Sequence, residues 1–320
     1  GLTVGFILED GILSDTGVDD KVMFNRESSL FIEGGFGKFA MGRIGSLNNG
    51  QSSWAKVGMI NAFGTSDWGG YSAQVGSIMA TAGQWDNMIA YQTPDFAGFK
   101  VYAQYSMGNQ VDGTDGDNND AKYGEENEST SDRYYALGVT YNNGPFAGYF
   151  AIDSKNYASV TTEGGNKVFK DVDDSLTVTL GGSYDFEVVK VYLGAQYFDE
   201  VALSGFSGPL NAVDKKPAFG MVKGYGLSLT GDAPLAGGKL MFGVGYTDAE
   251  QADSAEDQGK KYDFTRYVVS VGYDYPFSKR TDVYAMASYM QDSFEDKATA
   301  NGVDADPSAY TLYVGLRHRF

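Results

Sequence analysis

Apolar and polar residues alternate with a period of two through most of this chain, and that pattern restricts it to extended β-structure. In the final segment, one parity carries Tyr310, Leu312, Val314, Leu316 and Phe320. The other parity carries Thr311, Tyr313, Gly315, Arg317 and Arg319. Because successive side chains of a strand point to opposite faces, we expect an oily outside and a wet inside. That pattern is typical of an outer-membrane β-barrel.

The period-two test predicts fourteen strands along the chain. They lie near 2–9, 22–32, 37–45, 88–93, 99–108, 133–141, 146–153, 174–184, 187–198, 220–230, 238–248, 264–274, 281–291 and 310–320. The predicted fold class is therefore all-β, a transmembrane antiparallel β-barrel. Barrels often exceed the usual length of one domain, so we interpret residues 1–320 as a single barrel.

Connections between the predicted strands alternate between short and long. The short ones lie at 34–36, 94–98, 142–145, 185–187, 231–237 and 276–280. The long ones lie near 10–21, 46–87, 109–131, 154–173, 199–219, 249–263 and 292–309. This alternation predicts a barrel with short periplasmic turns on one rim and long loops on the other.

The alternative is a soluble β-sandwich or propeller, which also alternates and also uses Gly-rich turns. Strands of about ten residues with aromatic ends fit a tilted membrane crossing better. A barrel enzyme is a further alternative, but the single histidine, His318, lies two residues from the end of the chain with the outward parity. A barrel that serves as an adhesin or structural anchor is the third alternative.

Composition narrows the possible functions. The net charge of −18 argues against nucleic acid, whose phosphates need a basic surface. The absence of cysteine removes disulfides and thiolate metal sites. The sequence has no run of about 18 apolar residues, which excludes a helical membrane span. Because the chain opens at Gly1 without a signal peptide, we expect a processed or incomplete polypeptide.

Several segments resemble the general porins of Gram-negative outer membranes, in the trimeric family typical of Neisseria and its betaproteobacterial relatives. They are 24–27 (Phe-Asn-Arg-Glu), 34–43, 86–99, 273–284 and the closing 314–320 (Val-Gly-Leu-Arg-His-Arg-Phe). The resemblance runs from end to end and in order. It implies a homotrimer in the outer membrane that passes small hydrophilic solutes and ions by passive diffusion, with no cofactor and no enzymatic activity.

The resemblance also implies contact with outer-membrane lipid and lipopolysaccharide, and recognition by the barrel-assembly machinery through a C-terminal strand that ends at Phe320. Family members have sixteen strands, and the segment that opens at Gly1 resembles the start of their third strand. We therefore expect this chain to lack the first hairpin of a sixteen-stranded barrel. A genuine barrel of fourteen strands is the alternative.

The resemblance implies that the first long loop after Arg43 folds into the lumen as a constriction. Segment 46–87 suits that role because it is the longest connection, is rich in glycine and carries only Lys56, Asp67 and Asp86 as charges. An ordinary surface loop is the alternative. We expect Arg26 and Arg43 on the wall to face Asp67 and Asp86, which predicts a weak anion preference at the throat.

Other charged residues share the predicted inner parity but are expected nearer the rims. They are Lys100, Lys190, Arg266, Arg317 and Arg319. Small residues with outward parity, Ala40 and Gly42, favour subunit contact along the early strands. Three tryptophans, Trp54, Trp68 and Trp85, fall in segment 46–87, where they either pack the loop or stack on sugar rings of a substrate-selective porin.

One acidic stretch imitates a calcium-binding loop through Asp115, Asp117 and Glu126. Asp120 occupies the sixth position, where the sharp turn of such a loop needs glycine, and no helices flank it. We interpret it as a solvated outer loop with at most weak affinity for divalent cations.

Overall fold

The computed structural model describes residues 1–13, 16–19, 23–49, 52–64, 72–108, 131–158, 160–163, 166–169, 173–202, 221–252, 263–294 and 306–319. Its strands are β1 (Thr3–Glu9), β2 (Ile12–Leu13), β3 (Val18–Asp19), β4 (Glu27–Gly34), β5 (Gly37–Gly45), β6 (Gln84–Gln92), β7 (Phe99–Ser106), β8 (Arg133–Asn143), β9 (Phe146–Asn156), β10 (Val160–Glu163), β11 (Asn166–Phe169), β12 (Leu176–Asp185), β13 (Lys190–Ala202), β14 (Met221–Leu235), β15 (Gly238–Gln251), β16 (Asp263–Pro276), β17 (Thr281–Phe294) and β18 (Ser308–His318).

Fourteen of these strands form one sheet, in which every strand neighbours the next long strand of the chain. The order is β1-β4-β5-β6-β7-β8-β9-β12-β13-β14-β15-β16-β17-β18. All fourteen predicted strands are confirmed, with boundaries that differ by a few residues. No helix in the described part of the chain is long and apolar enough to cross a membrane.

Two short hairpins, β2 with β3 and β10 with β11, lie within connections predicted to be loops. Their strands have only two to four residues. A period-two pattern cannot be recognised over so short a span, which is why the sequence did not predict them. Two short helices, η1 (Val57–Met59) and α1 (Val75–Ile78), lie between β5 and β6.

The sheet has two chemically different faces. A row of directly paired residues across β14, β15 and β16, namely Leu229, Val244 and Val269, is about half exposed, at 50%, 48% and 54%. The neighbouring row on the other side contains Ser228 and Val268, which are buried. We call the first side the apolar face and the second the covered face. An exposed apolar face is what strands in contact with lipid require.

The chain divides into two compact units. The first consists of Gly1–Ala55, Ala82–Thr140 and Ala151–Leu176. The second consists of Lys56–Thr81, Tyr141–Phe150 and Thr177–Phe320. The long connection after β5 contributes to both units, so each of its halves is described with the strands on which it packs.

In strand β5, the faces of the odd and even residues are the reverse of those predicted. Ala40 is completely buried and Met41 is 48% exposed, so the even residues, not the odd ones, lie on the covered face. Gly42 adopts a φ of +129°, and the register with β6 shifts between Gly42 and Ile44. Apolar residues occur at both odd and even positions of this strand, and the bulge interrupts the alternation, so the sequence pattern does not show which face is covered. The expectation that Ala40 and Gly42 face outward towards another subunit is wrong.

The apolar face generates a test of membrane depth. Val244→Arg places a charge at the centre of β15 and is expected to cost about 2–4 kcal/mol in a bilayer. Leu235→Arg, at the turn-side end of the same face, is expected to cost at most about 1 kcal/mol. Urea unfolding in lipid vesicles measures both variants. Equal and small costs would mean that this face does not contact hydrocarbon.

Candidate functional site: the segment between β5 and β6

The connection between β5 and β6 covers residues 46–83, because β6 begins at Gln84. In the second unit, its part 72–80 lies on the covered face of β13 to β16. The amide of Ala73 donates to Ser270 Oγ at 2.7 Å, and the amide of Ala80 donates to Gln196 Oε1 at 2.7 Å. Gln196 Nε2 donates back to the carbonyl of Ala80 at 3.0 Å. Side chains of the wall therefore satisfy backbone groups that form no ladder.

The short helix α1 is held at its C-terminal end. All four of its residues are buried. The carbonyl of Ser77 accepts from Arg266 Nη1 at 2.9 Å, and that of Ile78 accepts from Thr247 Oγ1 at 2.7 Å. The last carbonyls of a helix have no partner within the helix, so these two wall residues satisfy them.

Glycines of the wall let α1 approach closely. A Cβ added at Gly226 would collide with the carbonyl oxygen of Ile78, and one added at Gly245 would collide with the Ile78 side chain. Both glycines lie on the covered face of their strands. A larger residue at Gly226 would displace α1 from the sheet, whereas one at Gly245 would first displace the end of the Ile78 side chain.

Arg266 joins α1 to the wall through a buried ion pair. Its Nε and Nη2 donate to the two carboxylate oxygens of Asp292 at 2.6 and 2.9 Å, and the side chains are 1% and 0% exposed. Arg266 has the predicted face, but it is not a solvated charge near the rim as expected. Its fork geometry neutralises Asp292 and leaves Nη1 for the Ser77 carbonyl.

This pair generates a prediction about the constriction. Arg266→Met leaves Asp292 buried without a cation, which is expected to cost about 3–5 kcal/mol of stability. The Ser77 carbonyl loses its donor, so we expect a larger single-channel conductance. Planar-bilayer recording and urea unfolding measure the two effects.

The double variant Arg266→Met with Asp292→Leu is the control, because it removes the unpaired charge. We expect it to recover most of the stability while the conductance stays raised. Recovery of both quantities would contradict the assignment of Arg266 as an anchor of α1.

In the first unit, a buried carboxylate anchors the other end of the connection. Glu27 is fully buried and accepts from the amide and the hydroxyl of Ser53 at 2.9 and 2.8 Å. Asp153 is also buried and accepts from Asn48 Nδ2 at 2.6 Å. These acids hold the backbone and side chains of the connection, and water does not reach them.

Arg43 and Asp86 do not face each other across a throat. Arg43 pairs with Ser28 in the register, two residues from the pair of Leu30 with Met41, and therefore lies on the apolar side of β5. Its Nη1 donates to Asp86 Oδ1 at 2.6 Å, and Asp86 lies on β6, not in the connection. The lumenal position of Arg43 that the resemblance implies does not fit this register, which places Arg43 on the side of Leu30 and Met41.

Arg26 lies just before β4 and pairs with Glu9 at 2.6 Å. Lys56 precedes η1 and is half-buried. The constriction roles of both remain predictions. Asp67 lies outside the described residues, as do Asp115, Asp117, Glu126 and Phe320.

Lys38 is a residue that the sequence reasoning missed. It lies on the covered face of β5, two residues from Ala40, and is half-buried. Its Nζ is 4.2 Å from the Phe31 ring centroid and 5.5 Å from that of Trp54. Across the described residues, no carboxylate lies within ion-pair distance of Lys38. The correct parity of β5 would have revealed it.

Of the five charged residues expected near the rims, four lie on the predicted inner side of their strands and, unlike Arg266, are not buried. Lys100 lies two residues from buried Tyr102, and Lys190 lies 4.9 Å from the ring centroid of Tyr192. Arg317 and Arg319 both bond to Asp282 on β17. All four lie on the covered face, whereas their part in conduction remains a prediction.

The fold has clear counterparts among solved structures. An anion-selective porin from Comamonas acidovorans aligns with a TM-score of 0.59 at 23% identity, over 100% of this chain and 85% of the other. OmpT of Vibrio cholerae aligns with a TM-score of 0.54 at 18% identity, over 92% and 80%. The chain therefore shares the β-barrel fold of these porins.

Sequence comparison identifies the family. The model of the Gram-negative porin family matches residues 1–296. An outer membrane porin protein of Bordetella pertussis is 30% identical over 100% of this chain and 79% of its own length. A porin of Delftia acidovorans is 26% identical over 100% and 81%, and a major outer membrane protein of Neisseria sicca is 27% identical over 94% and 76%. The chain belongs to the Gram-negative porin family and is an outer-membrane porin.

Proposed function

We propose that this porin prefers anions weakly as it passes small hydrophilic solutes and ions by diffusion through a water-filled pore. The observation that carries the proposal is the unequal accessibility of charges on the covered face. The acids Glu27, Asp153 and Asp292 are buried and hydrogen-bonded, whereas Lys38 is half-buried without an ion-pair partner in the described residues.

A permeating ion responds to charges that it can approach. Asp292 is paired with Arg266, and the buried carboxylates of Glu27 and Asp153 accept hydrogen bonds from the connection, so a solute in the pore does not contact them. The ammonium group of Lys38 is placed by two aromatic rings, which attract the cation without cancelling its charge. Glu33, its exposed cross-strand neighbour, reduces the effect but does not pair with it. Lys38 thus supplies a positive charge that a solute can approach, which favours anions despite the total of −18.

The related protein of Comamonas acidovorans is an anion-selective porin, which agrees with this proposal. Segment 46–83 supplies the constriction, since it lies on the covered face and is anchored at several points. Solutes of suitable size then pass down their gradient, filtered by the width of the pore and by its field.

A substrate-selective sugar porin is the second candidate. Trp85 stacks on Tyr134 with ring centroids 5.0 Å apart, and both side chains are buried. Trp54 is buried as well. The Trp85–Tyr134 stack belongs to the wall and Trp54 to the connection, and because all three rings are buried they present no face to a solute, so a general porin is favoured.

The proposed assembly is a trimer. In-vitro folded OmpT of Vibrio cholerae is described in its trimer form, and the fold is shared. The exposed apolar residues of the sheet suit contact with lipid and with the acyl chains of lipopolysaccharide. Recognition by the barrel-assembly machinery through the C-terminal strand belongs to the same proposal.

The selectivity test uses the reversal potential under a potassium chloride gradient. For the wild-type protein, we expect a reversal potential whose sign shows that chloride is more permeant than potassium. A unit charge about 10 Å from an ion in water is worth about 0.4 kcal/mol, roughly a factor of two. The effect has opposite signs for the two ions, so Lys38→Gln is expected to lower the ratio of chloride to potassium permeability about fourfold.

Arg43→Gln is the matched control, since Arg43 lies on the apolar side of the same strand. It is expected to leave the permeability ratio unchanged. A shift with Arg43→Gln and none with Lys38→Gln would contradict the role given to Lys38. A wild-type channel that prefers potassium would refute the anion preference altogether.

A further inference from the structure

A basic cavity lies in the second unit where β15, β16, β17 and β18 reach their short turns. Its volume is about 420 Å³. The charged residues that line it are Lys239, Lys279, Arg317, Arg319, Asp274 and Asp282. Four cationic groups thus meet two carboxylates, and positive charge is in excess.

The two carboxylates are already engaged by the arginines. Arg317 donates from Nε to Asp282 Oδ1 at 3.2 Å and from Nη2 to Asp274 Oδ2 at 3.1 Å, and a second bond joins Nη2 to Asp282. Arg319 Nη1 donates to Asp282 Oδ1 at 3.1 Å. These bonds fix the guanidinium groups at the cavity and nearly cancel their charge.

The lysines supply the excess charge. Lys239 pairs with Asp274 in the register and shares its side of the sheet, while Lys279 lies in the turn between β16 and β17. Among the described residues, neither lysine has a carboxylate within ion-pair distance. The acids are mostly covered, with side chains 13% and 8% exposed, whereas Arg317 and Arg319 are 39% and 57% exposed. A solute in the cavity therefore meets cationic groups first.

We propose that this cavity binds a small divalent oxyanion, of the size and charge of hydrogen phosphate or a short dicarboxylate. Pre-positioned guanidinium groups and mobile ammonium groups are the donors that phosphate and carboxylate require. The volume exceeds the needs of such an anion and leaves space for water. Binding at this cavity does not depend on the proposed selectivity. Its consequence for transport does depend on the channel function: the cavity would be a second anion-binding site, at the turn side of the pore.

The primary test is calorimetric titration of the folded porin in detergent with inorganic phosphate at constant ionic strength. We expect saturable binding by the wild type and at least a tenfold weaker dissociation constant for Lys239→Gln with Lys279→Gln. Both lysines are outside the buried ion pairs, so the variant is expected to fold, and heat-modifiable migration on a gel checks this. A separate titration with succinate distinguishes phosphate from dicarboxylate ligands.

Lys223→Gln is the matched control. Lys223 belongs to the same unit but lies on the apolar side of β14, 3.4 Å from Glu250. It is expected to bind phosphate like the wild type. Absence of saturable binding by the wild type, or equal binding by the wild type and the double variant, would overturn the site.

Planar-bilayer recording separates this inference from the proposed function. In potassium chloride alone, the double variant is expected to conduct and to retain the sign of the wild-type reversal potential, since Lys38 is unchanged. Phosphate added on one side is expected to reduce the wild-type chloride current saturably, with a weaker effect in the double variant. A porin that conducts with anion preference but binds no phosphate refutes only the cavity site. A porin that binds phosphate but prefers cations refutes only the proposed selectivity.

Discussion

The structure depends on the need of every backbone polar group for a hydrogen-bond partner where water is excluded. The strands meet this need through their ladders, and their apolar face then offers lipid only side chains such as Val244 and Val269. Segment 46–83 has almost no ladder of its own. It can lie only on the side where Gln196, Ser270 and their neighbours provide donors and acceptors.

This constraint also arranges the charges. The carboxylates of Glu27 and Asp292 serve as fixed points for the connection and are buried, Glu27 with hydrogen bonds from Ser53 and Asp292 with Arg266 as its cation. Basic side chains that take no part in anchoring, such as Lys38 and Lys239, stay accessible on the same side of the sheet. A chain with a large negative total can thus present positive charge to a solute in its pore, because position outweighs the sum.

Prediction from sequence succeeded where the period of two was unbroken. In the central parts of β14 to β16, large apolar residues recur at every second position of one face, so strands and faces were predicted correctly. It failed in β5, where apolar residues occupy both parities and the bulge after Gly42 interrupts the register with β6. That reversal placed Ala40 on the wrong face and hid Lys38. The anchors of α1 were not predictable, because polar inward residues occur on every strand.

The sequence by itself determined an antiparallel sheet of fourteen strands with one apolar face, since alternation is a local property that each strand carries in full. Family membership followed from segments in the same order. Tertiary structure alone decided which polar residues hold segment 46–83 and which remain accessible to solutes. Those roles depend on contacts such as that of Arg266 with Ser77, 189 positions apart, and no local pattern records contacts at such separation.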